Sequence, residues 1–186
     1  VIWERGPAAG QPPRTITDER LGDVFRYASN TVAVQNHSWG PSGPLQRGPS
    51  VLEDAGIEDA WRLGRGGLGT VMVRAAGNER GQGAQAGDDG FANDPRVLCV
   101  AAVRTNGQPS SFSEPGACVL VATPAGDVTE GGLFTTDLPG TSGANFVSFF
   151  PPFEYLSDFR WGALGFTGTS AAAPLVSGVA ALILAT

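Results

Sequence analysis

Four short apolar runs and three stretches of helical periodicity alternate along the chain. Leu21, Val24, Phe25 and Ala28 recur at the spacing of one helix face, behind Thr17 as a cap and the acidic Asp18 and Glu19. This predicts an amphipathic helix ending before Asn30. Thr31 to Val34 is a β-branched apolar run, the form of a strand buried on both faces. Ser50-Val51-Leu52-Glu53 has the spacing of a capping box and opens a second helix, which Gly64 can end. Thr70 to Ala76, Val97 to Val103 and Cys118 to Ala122 read as three further strands, the last two separated by the turn-rich Asn106-Gly107-Gln108-Pro109. Strands alternating with helices predict an α/β fold, a mostly parallel sheet with helices on both faces. Gly126 to Gly165 is aromatic, Gly-rich and aperiodic, and is expected to be a long functional loop or an insertion.

The last helix carries the first candidate chemistry. In Gly165 to Pro174, G-F-T-G-T-S-A-A-A-P, the proline is expected within a first helical turn, where its missing N–H has no intrahelical partner to lose. The helix then begins near Ser170. A hydroxyl at a helix N-terminus meets free amides and the positive end of the dipole, and the small residues beside it leave room for a substrate. Taken alone, the same serine reads equally as an N-cap on a packing helix.

Composition narrows the partners. The chain has 186 residues, 41% of them hydrophobic, enough for one ordinary domain or a piece of a larger one. Its formal charge is -6 with no Lys/Arg run, so nothing offers phosphates a basic stripe and no nucleic-acid partner is expected. No apolar run reaches the roughly 20 residues needed to cross a bilayer. Cys99 and Cys118 allow at most one bridge and lie in apolar runs, which leaves the redox compartment open.

Two further segments frame Ser170. Val71 to Asn78 brings a strand to Asn78 at its tip, where a side-chain amide can donate to an oxyanion or simply close an Asx turn. Asn36-His37-Ser38-Trp39-Gly40-Pro41 ends another strand, with small residues beside a Trp, either exposing an edge for an extended peptide or burying the Trp ahead of a Pro turn. Two other patterns are set aside. Gly64 to Gly69 matches G-x-G-x-x-G but follows a helix and precedes a strand, the reverse of a dinucleotide site. G-T-S-A-A around Ser170 lacks the second glycine of the esterase elbow.

Five pieces in order give the chain a resemblance: S-W-G-P at Ser38 to Pro41, A-A-G-N at Ala75 to Asn78, D-G-F-A-N at Asp89 to Asn93, F-S-E-P-G-A at Phe112 to Ala117, and G-T-S-A-A-A-P-L-V-S-G at Gly168 to Gly178. From about Thr17 onward it resembles the subtilisin-like serine proteases, within them the kexin and furin branch. The resemblance implies a serine endopeptidase with Ser170 as nucleophile, Asn78 as oxyanion donor, and Ser38, Trp39 and Gly40 as the edge that pairs with an extended peptide or protein substrate. It also implies a protein acting outside the cytosol.

The departures matter equally. The family order is Asp, His, Ser, with the first two upstream of S-W-G-P; this chain has no D-S-G, D-T-G or H-G-T segment, and its one histidine, His37, lies in a strand position the family does not use for its base. Residues 1–186 are therefore expected to be part of a catalytic domain, cut at both ends and inactive by itself. Asp89 matches one acid of the pocket that relatives use for a basic P1 residue, so the resemblance implies that P1 Arg or Lys is favoured, less steeply than in those relatives, while Asp89 also reads as a turn residue in Gly87-Asp88-Asp89-Gly90. Two other acidic positions are Gly43 and Ala84, which weakens both recognition of cations and the calcium site that the resemblance raises, so no metal ligand is assigned. The competing expectation is a non-catalytic peptide-binding pseudoprotease that keeps the Ser38 to Gly40 edge.

Overall fold

The computed structural model describes residues 16–138, 159–160 and 165–186. Helix α1 spans Asp18–Arg26, with the Thr17 hydroxyl accepting from Arg20 N. Helix α2 spans Val51–Gly67 behind a complete capping box: Ser50 Oγ accepts from Glu53 N, and the Glu53 carboxylate accepts from Ser50 N at 2.6 Å. Its regular winding stops at Gly64, whose ψ of 152 is extended, and Gly64 to Gly69 is the turn into the next strand. Both helix starts agree with the local signals, because a cap is decided within four residues.

Strands β1 (Val34–His37), β2 (Val71–Ala75), β3 (Val97–Val103) and β4 (Val119–Pro124) form a parallel sheet in that order. This is the expected α/β arrangement, with one displacement. The run Thr31 to Val34 was expected to be the first strand, yet β1 is Val34–His37, paired Val34 to Val71 and His37 to Arg74. The partner strand sets that register, and it recruits the polar Gln35, Asn36 and His37 in place of the apolar run.

Helix α3 (Thr169–Leu184) covers one face of the sheet, where Val73, Ala75, Val100 and Ala102 meet Ala171, Ala172 and Ala173. Helices α1 and α2 cover the other, where Leu21, Phe25, Ile57, Ala60 and Met72 pack with Phe91 and Val97. Alternation along β2 thus sends Val73 and Ala75 one way and Met72 and Arg74 the other. Helices α1 and α2 approach closely at Gly22 and Gly56, where a Cβ on Gly56 would stand 2.7 Å from Gly22 O. Both cysteines are free thiols, and Cys99 is core beside Cys118.

Within the Gly126 to Gly165 stretch, Thr135–Thr136 (β5) and Phe159–Arg160 (β6) form an antiparallel pair. Residues 139–158 and 161–164 of the expected loop lie outside the described residues. Among the described residues no helix is long and apolar enough to cross a membrane.

Candidate active site

Ser170 is the second residue of α3, after Gly168 as a cap that makes no side-chain hydrogen bond. Pro174 therefore lies in the second turn, not the first as expected, and its missing N–H would have bonded to the carbonyl of Ser170. The chain repairs this loss from 132 residues away: Ser38 Oγ donates to Ser170 O at 3.0 Å. Ser170 Oγ in turn donates to Ser38 O at 3.3 Å, so the two serines exchange hydroxyl-to-carbonyl bonds. A proline in this helix thus frees the carbonyl that fastens the nucleophile's turn to the end of β1.

Asn78 follows β2 through Gly77, which has φ +112 and a Cα so close to Glu114 that a Cβ would fall 2.3 Å from its carboxylate oxygen. Asn78 Oδ1 accepts from Thr169 N at 2.8 Å and from Thr169 Oγ1 at 3.0 Å. Thr169 Oγ1 accepts in turn from Gly77 N at 3.1 Å. A backbone N–H can only donate, so the atom facing Thr169 N must be the amide oxygen. This fixes the rotamer and leaves the Asn78 Nδ2 hydrogens for another acceptor. Asn78 and Ser170 line one cavity of about 130 Å³, together with Trp39, Gly40, Asp89, Glu114 and Thr169. Glu114, buried beneath Gly77 and beside Glu79, has its carboxyl pushed up to about 7, chiefly by burial.

The sequence placed Ser38, Trp39, Gly40, Asn78, Asp89 and Ser170 as separate candidates. The fold brings Trp39, Gly40, Asn78, Asp89 and Ser170 to this cavity; Ser38 does not line it and instead bonds to the Ser170 carbonyl. Trp39 remains 44% exposed, available to a partner rather than buried ahead of a Pro turn. Sequence reasoning missed Thr169, the anchor of Asn78, although its hydroxyl stood between Gly168 and Ser170. It also missed Arg74, a lone cation inside the apolar run Val71 to Ala76.

Arg74 changes the reading of Asp89. Resemblance implied a carboxylate open to a substrate cation, and the structure places it against a guanidinium instead. Arg74 Nε donates to Asp89 Oδ2 at 3.0 Å, and Nη2 makes a second, shorter bond to the same oxygen. Asp89 Oδ1 accepts from Phe91 N at 3.0 Å, so both oxygens are engaged. The pairing has a simple cause: Arg74 is 1% exposed on a central strand, and a cation so buried requires a counter-charge. Burial also lowers its pKa, an effect that Asp89 opposes.

His37 is buried between Phe25, Trp39 and Phe91, at ring distances of 5.4, 5.7 and 5.0 Å, with Nε2 3.2 Å from Gln35 Oε1. Burial, aided by the Arg74 charge, lowers its pKa from 6.5 to about 3. A neutral core imidazole of such low basicity is no general base for Ser170. It does make stability depend on pH. The unfolded chain protonates His37 near 6.5 and the folded chain only near 3, so its contribution is present above 6.5 and is lost as pH falls toward 3, at up to about 1.4 kcal/mol per pH unit. Glu114 acts oppositely between its ordinary range and about 7. Urea midpoints of the wild type and His37→Phe, compared at pH 7 and pH 4.5, isolate the histidine: the wild type is expected to lose more stability on acidification. Equal losses would place His37 in water.

Neither Gly43 nor Ala84 offers a side-chain oxygen where the resemblance implied acids, and Ala84 is buried. Among the described residues no group of three or more His, Cys, Asp or Glu is placed to hold a metal ion. The residues present do not fit the calcium site raised by the resemblance.

The profile of the Subtilase family matches residues 8–186. Proprotein convertase subtilisin/kexin type 7 of Mus musculus is 32% identical over 172 residues, covering 91% of this chain and 20% of that protein. Furin-1 of Xenopus laevis is 30% identical over 172 residues, 91% of this chain and 19% of its own length. The chain thus spans a fifth or less of the length of such relatives. Among solved structures, the serine protease of Aeromonas sobria aligns with TM-score 0.73 at 22% identity, over 90% of this chain and 34% of that one. A cold-adapted subtilisin-like serine proteinase aligns with TM-score 0.60 at 23% identity, over 91% and 49%. At these identities the structural likeness speaks to the fold alone.

Proposed function

This chain belongs to the Subtilase family, and from that premise we propose that residues 1–186 are part of the catalytic domain of a serine endopeptidase that cleaves extended peptides or proteins outside the cytosol. Ser170 becomes acylated as the peptide C–N bond breaks and the amine leaves with the proton that the base took from Oγ, after Oγ has attacked the scissile carbonyl and turned its oxygen into a tetrahedral oxyanion. The resulting oxyanion is met by Asn78 Nδ2 and by the Ser170 amide, which lies in the first turn of α3 where an N–H has no intrahelical acceptor. Trp39 and Gly40 present the edge along which the substrate backbone lies. The base and its orienting carboxylate are supplied by segments outside these 186 residues, upstream of Ser38 in the family's order.

One observation carries this reading: Asn78 reaches Thr169, the neighbour of Ser170, through its oxygen only, which reserves its donors for the shared cavity. A complete protein containing this chain is expected to be labelled at Ser170 by a fluorophosphonate probe and to turn over peptides. The 186-residue chain alone is expected to do neither, since its single histidine is the buried His37. That same histidine is what favours the second reading, a peptide-binding pseudoprotease. Peptide binding by the complete protein, without labelling or turnover, would establish the second reading and remove the first.

A further inference from the structure

We propose that Arg74 sets the substrate preference of this cleft, turning the pocket at Asp89 away from basic residues and toward uncharged ones at the position before the cleaved bond. The proposal rests on the reading of Ser170 and Asn78 as the reacting site, because that reading makes the cavity they share with Asp89 the seat of the residue before that bond.

The argument begins with a charge in an unusual place. Arg74 sits on β2 between Val73 and Ala75, which face α3, and so projects to the side of the sheet that α1 and α2 cover. Its guanidinium carbon stands 4.2 Å from the centroid of Trp39 and 5.0 Å from that of Phe91. Two aromatic rings and two charge-assisted bonds to the single oxygen Asp89 Oδ2 hold the guanidinium in one pose. Arg74 lines a second, adjoining cavity of about 400 Å³ and not the cleft, and Asp89 lines both cavities. The ion pair is therefore part of the partition between them, together with Trp39, Gly40 and Pro41, and of its two charges only the carboxylate lines the cleft.

Such a partition is electrically neutral. A substrate guanidinium or ammonium reaching Asp89 would have to share Oδ2 with a fixed cation, while Oδ1 is already spent on Phe91 N. The incoming cation would lose water, gain at most half of a carboxylate and meet a like charge beside it, a combination that disfavours binding. Gly40 is what admits the guanidinium here, since a Cβ at that position would stand 3.0 Å from Arg74 Nη2. An uncharged side chain meets none of these penalties. Among the described residues Arg74 Nη1 has no hydrogen-bond partner, so removing the Asp89 charge would leave a cation with spare donors beside the cleft.

The test uses the complete protein and one peptide series differing only before the cleaved bond, with Arg, Leu or Glu. Wild type is expected to cleave after Leu at least tenfold more efficiently, as kcat/KM, than after Arg. Arg74→Met removes the cation while keeping a long apolar side chain over Trp39, and is expected to raise the Arg-to-Leu ratio at least tenfold. Asp89→Asn is expected to raise the Glu-to-Leu ratio instead, because it unmasks the other charge. A purely structural ion pair would lower all three substrates together in both variants, and that result, or a wild type that prefers Arg, overturns the proposal. Should Arg74→Met fail to fold, the Asp89→Asn ratio decides alone. The same peptides are bound in parallel to Ser170→Ala proteins and read by fluorescence anisotropy, which needs no chemistry. Ranked binding without turnover in wild type would sink the catalytic reading and leave the role of Arg74 standing, whereas equal binding of the three peptides in every variant would sink the role of Arg74.

Discussion

In the complete protein, Asn78→Ala is expected to lower kcat by about 10² to 10³ with KM nearly unchanged. The scale is the one known for removal of the side-chain donor in subtilisin. The reason for the split is that the donor meets a charge that exists only as the carbonyl becomes tetrahedral, so its loss falls on the transition state and not on substrate binding. The structure adds a control. Asn78→Ala also deprives Thr169 N and Oγ1 of their acceptor, which by itself could disturb the start of α3. Asn78→Asp keeps an oxygen toward Thr169 and removes only the donor, while setting a negative charge where an oxyanion must form. It is expected to lose at least as much kcat as Asn78→Ala with a folded structure by circular dichroism. A kcat unchanged in either variant would exclude Asn78 from the oxyanion site.

Ser170→Ala is expected to abolish acylation and to reduce turnover by about 10⁴ or more, leaving only what the oxyanion donors and substrate positioning give without a nucleophile. Binding of a substrate-like peptide should change little. The bond that holds the turn of Ser170 in register is Ser38 Oγ to the backbone carbonyl of Ser170, and alanine keeps that carbonyl. Only the longer Ser170 Oγ to Ser38 O contact is lost. Turnover within tenfold of wild type would mean that another group is the nucleophile; a loss of peptide binding equal to the loss of turnover would mean that Ser170 holds the cleft together instead of reacting.

Much of the architecture was legible because its signals are local. Thr17 and Ser50 cap helices whose first turns lie within four residues of them, and Val97 to Val103 is an apolar run with no competing period. The first strand was misplaced for the converse reason: Val34–His37 is held by its ladder to Val71 to Arg74, and three polar residues joined it where an apolar run had been expected. Local spacing puts Pro174 in the first turn, whereas it lies in the second, because the Ser170 carbonyl it leaves free is bonded by the Ser38 hydroxyl, a partner that no window around α3 contains.

By itself, then, the sequence determined the alternation of strands and helices, the two capped helix starts, and the candidates Ser170, Asn78 and the Ser38 to Gly40 edge. Each of these is a matter of residue type and spacing over a few positions, where propensity, caps and periodicity act. Only the tertiary structure decided which groups meet: Ser38 with Ser170 across 132 positions, Asn78 with Thr169 across 91, and Arg74 with Asp89 across 15. Hydrogen bonds and ion pairs act over a few ångströms of space whatever the distance along the chain. The rotamer of an oxyanion donor and the charge of a pocket floor therefore came into being only when α3 settled on one face of the sheet and Arg74 was buried on the other.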